Sequence, residues 1–228
     1  MKLSLIFDNI DLFIEGLFLT VELTVLSLLI GFCIALPFGI IRAREVPYWS
    51  RIVNLYVYAI RGTPLLVQLY VIYYGLSQFV WVRESFAWPI LREAYWCALI
   101  AFSLNSGAYA TEIIRGAIQS VPRGQIEAAK ALGLSAFQID RLVLIPSALR
   151  KALPQYGNEV VFMLHGSALA SVITLTDLLG AGRELNSKYY ITYEGFITAA
   201  VFYMILTGII VLIFRALELR YLSYLTLR

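Results

Sequence analysis

Charge is scarce in this chain. Only 14% of its 228 residues are Asp, Glu, Lys or Arg, against roughly 25% in a soluble domain. Apolar residues make up 60% and the mean hydropathy is +0.77. A soluble fold of this size cannot hide so much apolar surface, so the bilayer is the expected solvent. The net charge of +3 is small and the basic residues are scattered, which argues against a nucleic-acid partner. Cysteine is limited to Cys33 and Cys97, both in apolar runs. That excludes a disulfide framework and a CxxC metal or redox site, and both read as small packed hydrophobes. The sole histidine, His165, has no partner at ligand spacing, so a metal site is not expected and a packed or hydrogen-bonded imidazole is. The chain has no Gly-Lys step, hence no phosphate-cradling P-loop and no ATPase of its own. Neither H-E-x-x-H nor G-x-S-x-G occurs, which leaves a membrane enzyme without its usual machinery.

What is present is hydrophobic length. A helix needs about 20 mostly apolar residues to span the hydrocarbon core. Five stretches qualify: 16–41, 53–79, 95–114, 156–175 and 194–214. The second is interrupted by Arg61-Gly62-Thr63-Pro64, and the fourth carries Glu159, His165 and Ser167. The first run exceeds the length of a signal h-region and follows Asp8, Asp11 and Glu15, so it reads as a retained helix. No linker or low-complexity tract divides the chain, which reads as one domain over 1–228 with its core at about 16–220. The fifteen Tyr and four Trp suit interfacial belts, since Trp49, Trp81, Trp88 and Trp96 fall near expected helix ends.

Lys and Arg set the expected orientation. Twelve lie in the first loop (Arg42, Arg44, Arg51), the third loop and the C-terminal end, which includes Arg228. Five, including Lys2, lie in the alternate segments. The positive-inside rule then puts the N-terminus outside, the C-terminus inside and the third loop, 116–152, in the cytoplasm. An odd number of helices without a visible repeat fits half of a pore better than a self-contained secondary transporter built of inverted halves.

The 116–152 loop is too long for a passive connection. Pro122 suits a first helical turn, Glu127-Ala128-Ala129-Lys130-Ala131-Leu132 is strong helix-forming sequence, and Gly133 is placed as a C-terminal stop. Ser135 and Gln138 have capping-box spacing with Leu134 and Ile139 as a staple, and Pro146 is expected to end or kink the second helix. Two short helices at a sharp angle suit either a docking element or a structural elbow.

Glu127-Ala128-Ala129, then Gly133, then Val143-Leu144-Ile145-Pro146 resembles the EAA signature of ABC importer permeases. The spacing matches throughout, with Val for Ile and Ile for Leu. Arg61-Gly62-Thr63-Pro64-Leu65-Leu66-Val67-Gln68, Asn105-Ser106-Gly107-Ala108-Tyr109 with Glu112, and Asn158-Glu159-Val160 with Ser167-Ala168-Leu169-Ala170 are similar to the polar amino acid subfamily. The nearest likeness is to M-type permeases of histidine/lysine/arginine/ornithine and opine importers. The resemblance implies an all-α, five-helix type-I importer permease in the bacterial cytoplasmic (inner) membrane. Its implied partners are a second permease, two copies of an ATP-binding subunit that holds ATP and Mg, and a solute-binding protein. It also implies that Glu127, Ala128, Ala129, Gly133 and Pro146 belong to the coupling helix segment that meets the ATPase. A permease of this kind is a transport subunit and not an enzyme, and no cofactor is expected on the chain itself.

Ionisable groups at membrane depth are costly and usually face the bundle interior or a wet cavity. Glu159, beside Asn158, is placed to meet a substrate cation or α-amino group, or to form a structural ion pair. Arg61, at the Gly62–Pro64 interruption, is placed to meet a substrate carboxylate or to snorkel to the interface. Thr63, Gln68, Asn105 and Ser167 are the small polar candidates for the same path, each also suited to interhelical hydrogen bonding. Glu112 is expected to pair with Arg115 at i,i+3, and Glu22 reads as structural near the outer interface.

Overall fold

The computed structural model describes residues 3–222, and these are helical apart from short turns. Lys2 and Arg228, counted for orientation, lie outside the described residues. Eight helices carry the architecture: α1 (Ile10–Ala43), α2 (Trp49–Arg61), α3 (Leu65–Tyr70), α4 (Ala94–Gln119), α5 (Arg123–Ala131), α6 (Ile145–Gly166), α7 (Leu178–Tyr189) and α8 (Glu194–Tyr221). Shorter helical turns fill the joints.

By length and composition α1, α4 and α8 are each able to cross a membrane. Two bent pairs raise the number to as many as five: α2 with Leu65–Gln78, bent by 101°, and Ala136–Ile173 with α7, bent by 44°. The stretch 53–79, expected as one interrupted helix, is therefore two helices set nearly at right angles. Pro64 is the cause. It lacks an N–H and disfavours the helical region for the residue before it, and it starts α3 from an extended conformation (φ −62°, ψ 140°).

α1 lies against α4 along a stripe of small residues. Gly31, Ala35 and Gly39 are buried against Ser106, Gly107, Ala110 and Ile114. A Cβ on Gly31 would stand 2.9 Å from the Gly107 nitrogen, so the two backbones touch. Such close approach is how helices associate where lipid removes the hydrophobic drive between them. Leu23, Leu69, Phe102, Met163 and Ile173 form the central packed cluster where α1, α3, α4 and α6 meet. α8 buries only Glu194, Gly195 and Ala199, and leaves Met204, Ile205, Leu212 and Ile213 exposed. A helix apolar on all sides yet unburied by its own chain is one that lipid or another membrane subunit solvates.

α6 starts earlier than the expected 156–175 span. Pro146 does not end the preceding helix: Ala136–Ile139 passes through a π turn, Asp140–Leu144, directly into α6 with Pro146 in its first turn. The wider turn makes room for the ring and spares the hydrogen bond that proline cannot donate. Cys97 is buried as expected, whereas Cys33 is exposed on the outward side of α1, where a span meets its surroundings rather than its own core.

Candidate functional site

The α2–α3 break is braced by the Gln68 amide, beside the Thr63 hydroxyl that donates to the Ala59 carbonyl at 2.9 Å. Gln68 Nε2 donates to the Ile60 carbonyl (2.6 Å), the Thr63 carbonyl (2.9 Å) and Thr63 Oγ1 (3.0 Å). Its Oε1 accepts from Asn105 Nδ2 on α4 at 3.0 Å. The carbonyls freed by Pro64 are thus satisfied from within the protein, which membrane depth demands. Gln68 is buried and is not among the residues lining the cavity in front of the break.

In front of the break is a cavity of about 610 Å³, lined by residues of α2, α3, α4 and α6. It gathers Arg61, Thr63, Asn105, Asn158 and Glu159 from the expected set. Ser167 is not among the lining residues: it is fully buried and donates to the Leu164 carbonyl at 2.7 Å. Tyr109, Gln155 and Phe162 also line the cavity. They stand one turn from Asn105, Glu159 and Asn158, so the i,i+4 rule applied to the expected residues identifies them.

The two charges in the cavity have different settings. Glu159 is 6% exposed, and among the described residues no Lys, Arg or His forms an ion pair with it. Arg61 is partly exposed, with its guanidinium 4.9 Å above the Tyr109 ring and 3.9 Å from Glu112. These two contacts fix its position beside α4. Glu112 pairs with Arg115 at 2.9 Å, as the i,i+3 spacing predicts, and it also takes Arg42 from the end of α1. One carboxylate therefore anchors three arginines from three helices, leaving that corner positive. An α-amino acid carries a carboxylate and an ammonium. A cavity with an arginine on one wall and an unpaired carboxylate on another is complementary to both.

The 116–152 segment has the punctuation that its sequence predicts, with two shifts. Pro122 caps α5 from just outside it, and the second helix continues into α6 as described. Gly133 is left-handed (φ 75°), with Leu134 N–H donating to Ala129 O and Gly133 N–H to Lys130 O, the Schellman pattern. Ser135 and Gln138 form the reciprocal capping box. Ala129 is buried, while Glu127, Ala128 and Gly133 are exposed. Leu132 and Phe137 flank the turn 81% and 71% exposed, leaving large apolar surface on both sides of it. The loop is fastened to the bundle by Lys151 Nζ to the Ser120 carbonyl (2.7 Å) and by an ion pair of Arg44 with Asp140.

His165 is hydrogen-bonded to Thr207 Oγ1 at 3.0 Å and packs edge-on to Tyr203. Glu22 accepts from the Tyr95 hydroxyl at 2.6 Å.

Comparison with known proteins places this arrangement. The octopine transport system permease protein OccM of Rhizobium radiobacter is 45% identical over 90% of this chain and 84% of its own length. The histidine/lysine/arginine/ornithine transport system permease protein HisM of Escherichia coli K12 is 42% identical over 92% of this chain and 88% of its own. A crystal structure of an amino acid ABC transporter with histidines superimposes with a TM-score of 0.85 at 36% identity, covering 96% of this chain and 98% of that one. The all-helical architecture matches the type-I ABC importer permease fold, and its long apolar helices are those of a multi-pass membrane protein. Residues 35–222 match the model of the binding-protein-dependent transport system inner membrane component, and the chain belongs to that family.

Proposed function

We propose that this permease subunit carries basic or polar amino acids, or opines built on them, into the cytoplasm as part of an ATP-driven importer. The observation that carries the reading is the cavity of about 610 Å³ with unpaired Glu159 on one wall and Arg61 on another. Glu159 meets the ammonium or side-chain cation of the substrate, Arg61 its carboxylate, and Asn158, Asn105 and Thr63 supply neutral hydrogen bonds. Glu159 is buried, and a charged contact there is worth more than an exposed one because little water competes. Gln68 braces the helix break, and Ser167 packs α6 behind it.

The chain acts as a single transmembrane unit of five spans, N-terminus outside and C-terminus inside, in the bacterial cytoplasmic membrane. Its partners are a second permease, two copies of an ATP-binding subunit and a solute-binding protein on the outer face. ATP and Mg reside on the ATP-binding subunit, where hydrolysis occurs. Closure of that subunit pushes on α5 through Glu127, Ala128 and the Gly133 turn, with Leu132 and Phe137 giving the contact its apolar grip. The push passes along the continuous Ala136–Ile173 rod through Pro146 to Glu159 and opens the cavity outward. The supports for this are the exposed apolar pair beside α5, the unbroken rod and the relatives named above.

The test is capture of the tagged chain in mild detergent, followed by vanadate-sensitive uptake of labelled arginine by proteoliposomes of whatever complex is recovered. An ATP-binding subunit and a second permease should co-purify, and uptake should require ATP. Arginine uptake by the chain alone, driven by an ion gradient without ATP, would replace this reading with a secondary transporter.

A further inference from the structure

We propose that a second cavity, at the turn between α1 and α2, holds the phosphate of an anionic phospholipid. It measures about 540 Å³ and is lined by Arg42, Glu45, Ser50, Arg51, Asn54 and Arg115, among others. It shares no lining residue with the cavity at Glu159.

Charge is the first argument. Arg42, Arg61 and Arg115 already share the single carboxylate of Glu112. Arg51 adds a further guanidinium, and among the described residues it has no carboxylate partner. Glu45 is the sole acidic residue in the lining, so the corner holds an excess of positive charge. Guanidinium forks match phosphate oxygens in geometry, and Ser50 and Asn54 offer neutral donors beside them.

The second argument is what surrounds the cavity. α2 packs inward through Val53 and Val57. On its other side Ile52 and Leu55 are 59% and 69% exposed, and at its start Tyr48, just before the helix, and Trp49, in its first turn, are 79% and 60% exposed. An exposed apolar side with Tyr and Trp at the helix start is the pattern of a helix lying in the interface with its apolar face among acyl chains. A lipid whose tails cover this side brings its phosphate to the mouth of the arginine cavity. A free anion explains the arginines and leaves the apolar side bare; a phospholipid accounts for both.

The location gives the lipid a consequence. Arg115 lies in the last turns of α4, just before the 116–152 loop, and Arg44 ties the same α1–α2 turn to Asp140 within that loop. A bound phosphate neutralises the arginines that face one another here and steadies the base on which the loop sits. Under the proposed orientation the leaflet is the cytoplasmic one, whose anionic lipids favour juxtamembrane arginines. Binding itself does not depend on that assignment.

The experiment is native mass spectrometry of the full-length chain, in its purified complex, with added phosphatidylglycerol or phosphatidylcholine of the same acyl chains. Wild type should retain phosphatidylglycerol in preference to phosphatidylcholine, and excess inorganic phosphate should leave it bound. Arg51→Gln should lower its occupancy about fivefold, the worth of one basic side chain near an anionic surface, while Arg51→Lys should keep the preference. Among the described residues Arg51 makes no ion pair, so its replacement breaks none there. Equal retention of the two lipids, or an Arg51→Gln protein that binds like wild type, would overturn the proposal. Displacement by inorganic phosphate would make this a free-anion site. Loss of a protein subunit from the Arg51→Gln complex with lipid unchanged would make it a subunit contact; either result refutes the lipid assignment.

Discussion

Replacing Gln68 by Leu keeps most of its volume and removes the four hydrogen bonds that its amide makes at the α2–α3 break. The Ile60 and Thr63 carbonyls each lose the Gln68 amide, at roughly 0.6 kcal/mol each for hydrogen bonds inside membrane proteins, and Ile60 keeps only its longer bonds from the Thr63 N–H and hydroxyl. Asn105 loses the acceptor for its buried amide, which adds about 1 kcal/mol. The expected loss is about 2 kcal/mol, roughly a thirtyfold shift toward the unfolded state. Denaturation of the purified protein in mixed micelles measures it. Because Gln68 and Asn105 share one hydrogen bond, Asn105→Leu in the Gln68→Leu background should cost less than in wild type, by about 0.5 kcal/mol or more. A Gln68→Leu protein as stable as wild type, or strictly additive variants, would refute the claim that this amide holds the break.

Other expectations follow from close contacts and backbone geometry. Gly31→Ala places a methyl 2.9 Å from the Gly107 nitrogen, so α1 and α4 must part; overpacking of this kind costs about 1–3 kcal/mol, read as a lower unfolding midpoint. Gly133→Ala meets no atom within 4 Å but keeps φ 75°, a left-handed conformation costing about 1–2 kcal/mol for an L residue. Its penalty should fall on the loop, so ATP hydrolysis by the assembled complex should become less responsive to substrate while the bundle's unfolding midpoint stays near wild type. Paired substitution of Leu132 and Phe137 by Ser removes the apolar contact beside α5, and the ATP-binding subunit should then be lost from detergent-purified complexes.

Local signals were the legible ones. The Gly133 stop and the Ser135–Gln138 box depend on residues three to six apart, and both stand in the structure at the positions their spacing gives. The Glu112–Arg115 pair is of the same kind. Direction was less legible. Gln68 and Ser167 have the side chains a polar path needs, but composition does not say that one turns back onto its own helix break and the other onto Leu164. Contacts between distant segments were not legible at all: Arg42 and Arg61 reach Glu112 only because α1, α2 and α4 converge. Proline was legible as a perturbation and not as an outcome. Pro64 breaks a span into two helices, whereas Pro146 is absorbed by a π turn.

The measurement that bears most directly on the transport reading is concentration-dependent arginine uptake by proteoliposomes of the complex carrying Glu159→Gln. The substitution keeps the shape of the side chain and breaks no ion pair among the described residues. A charge-assisted hydrogen bond is worth about 1.5–3 kcal/mol, so KM for arginine should rise about tenfold or more while the protein's stability and basal ATP hydrolysis stay at wild-type levels. Uptake of arginine with unchanged KM would contradict the assignment of Glu159 as the carboxylate that meets the substrate.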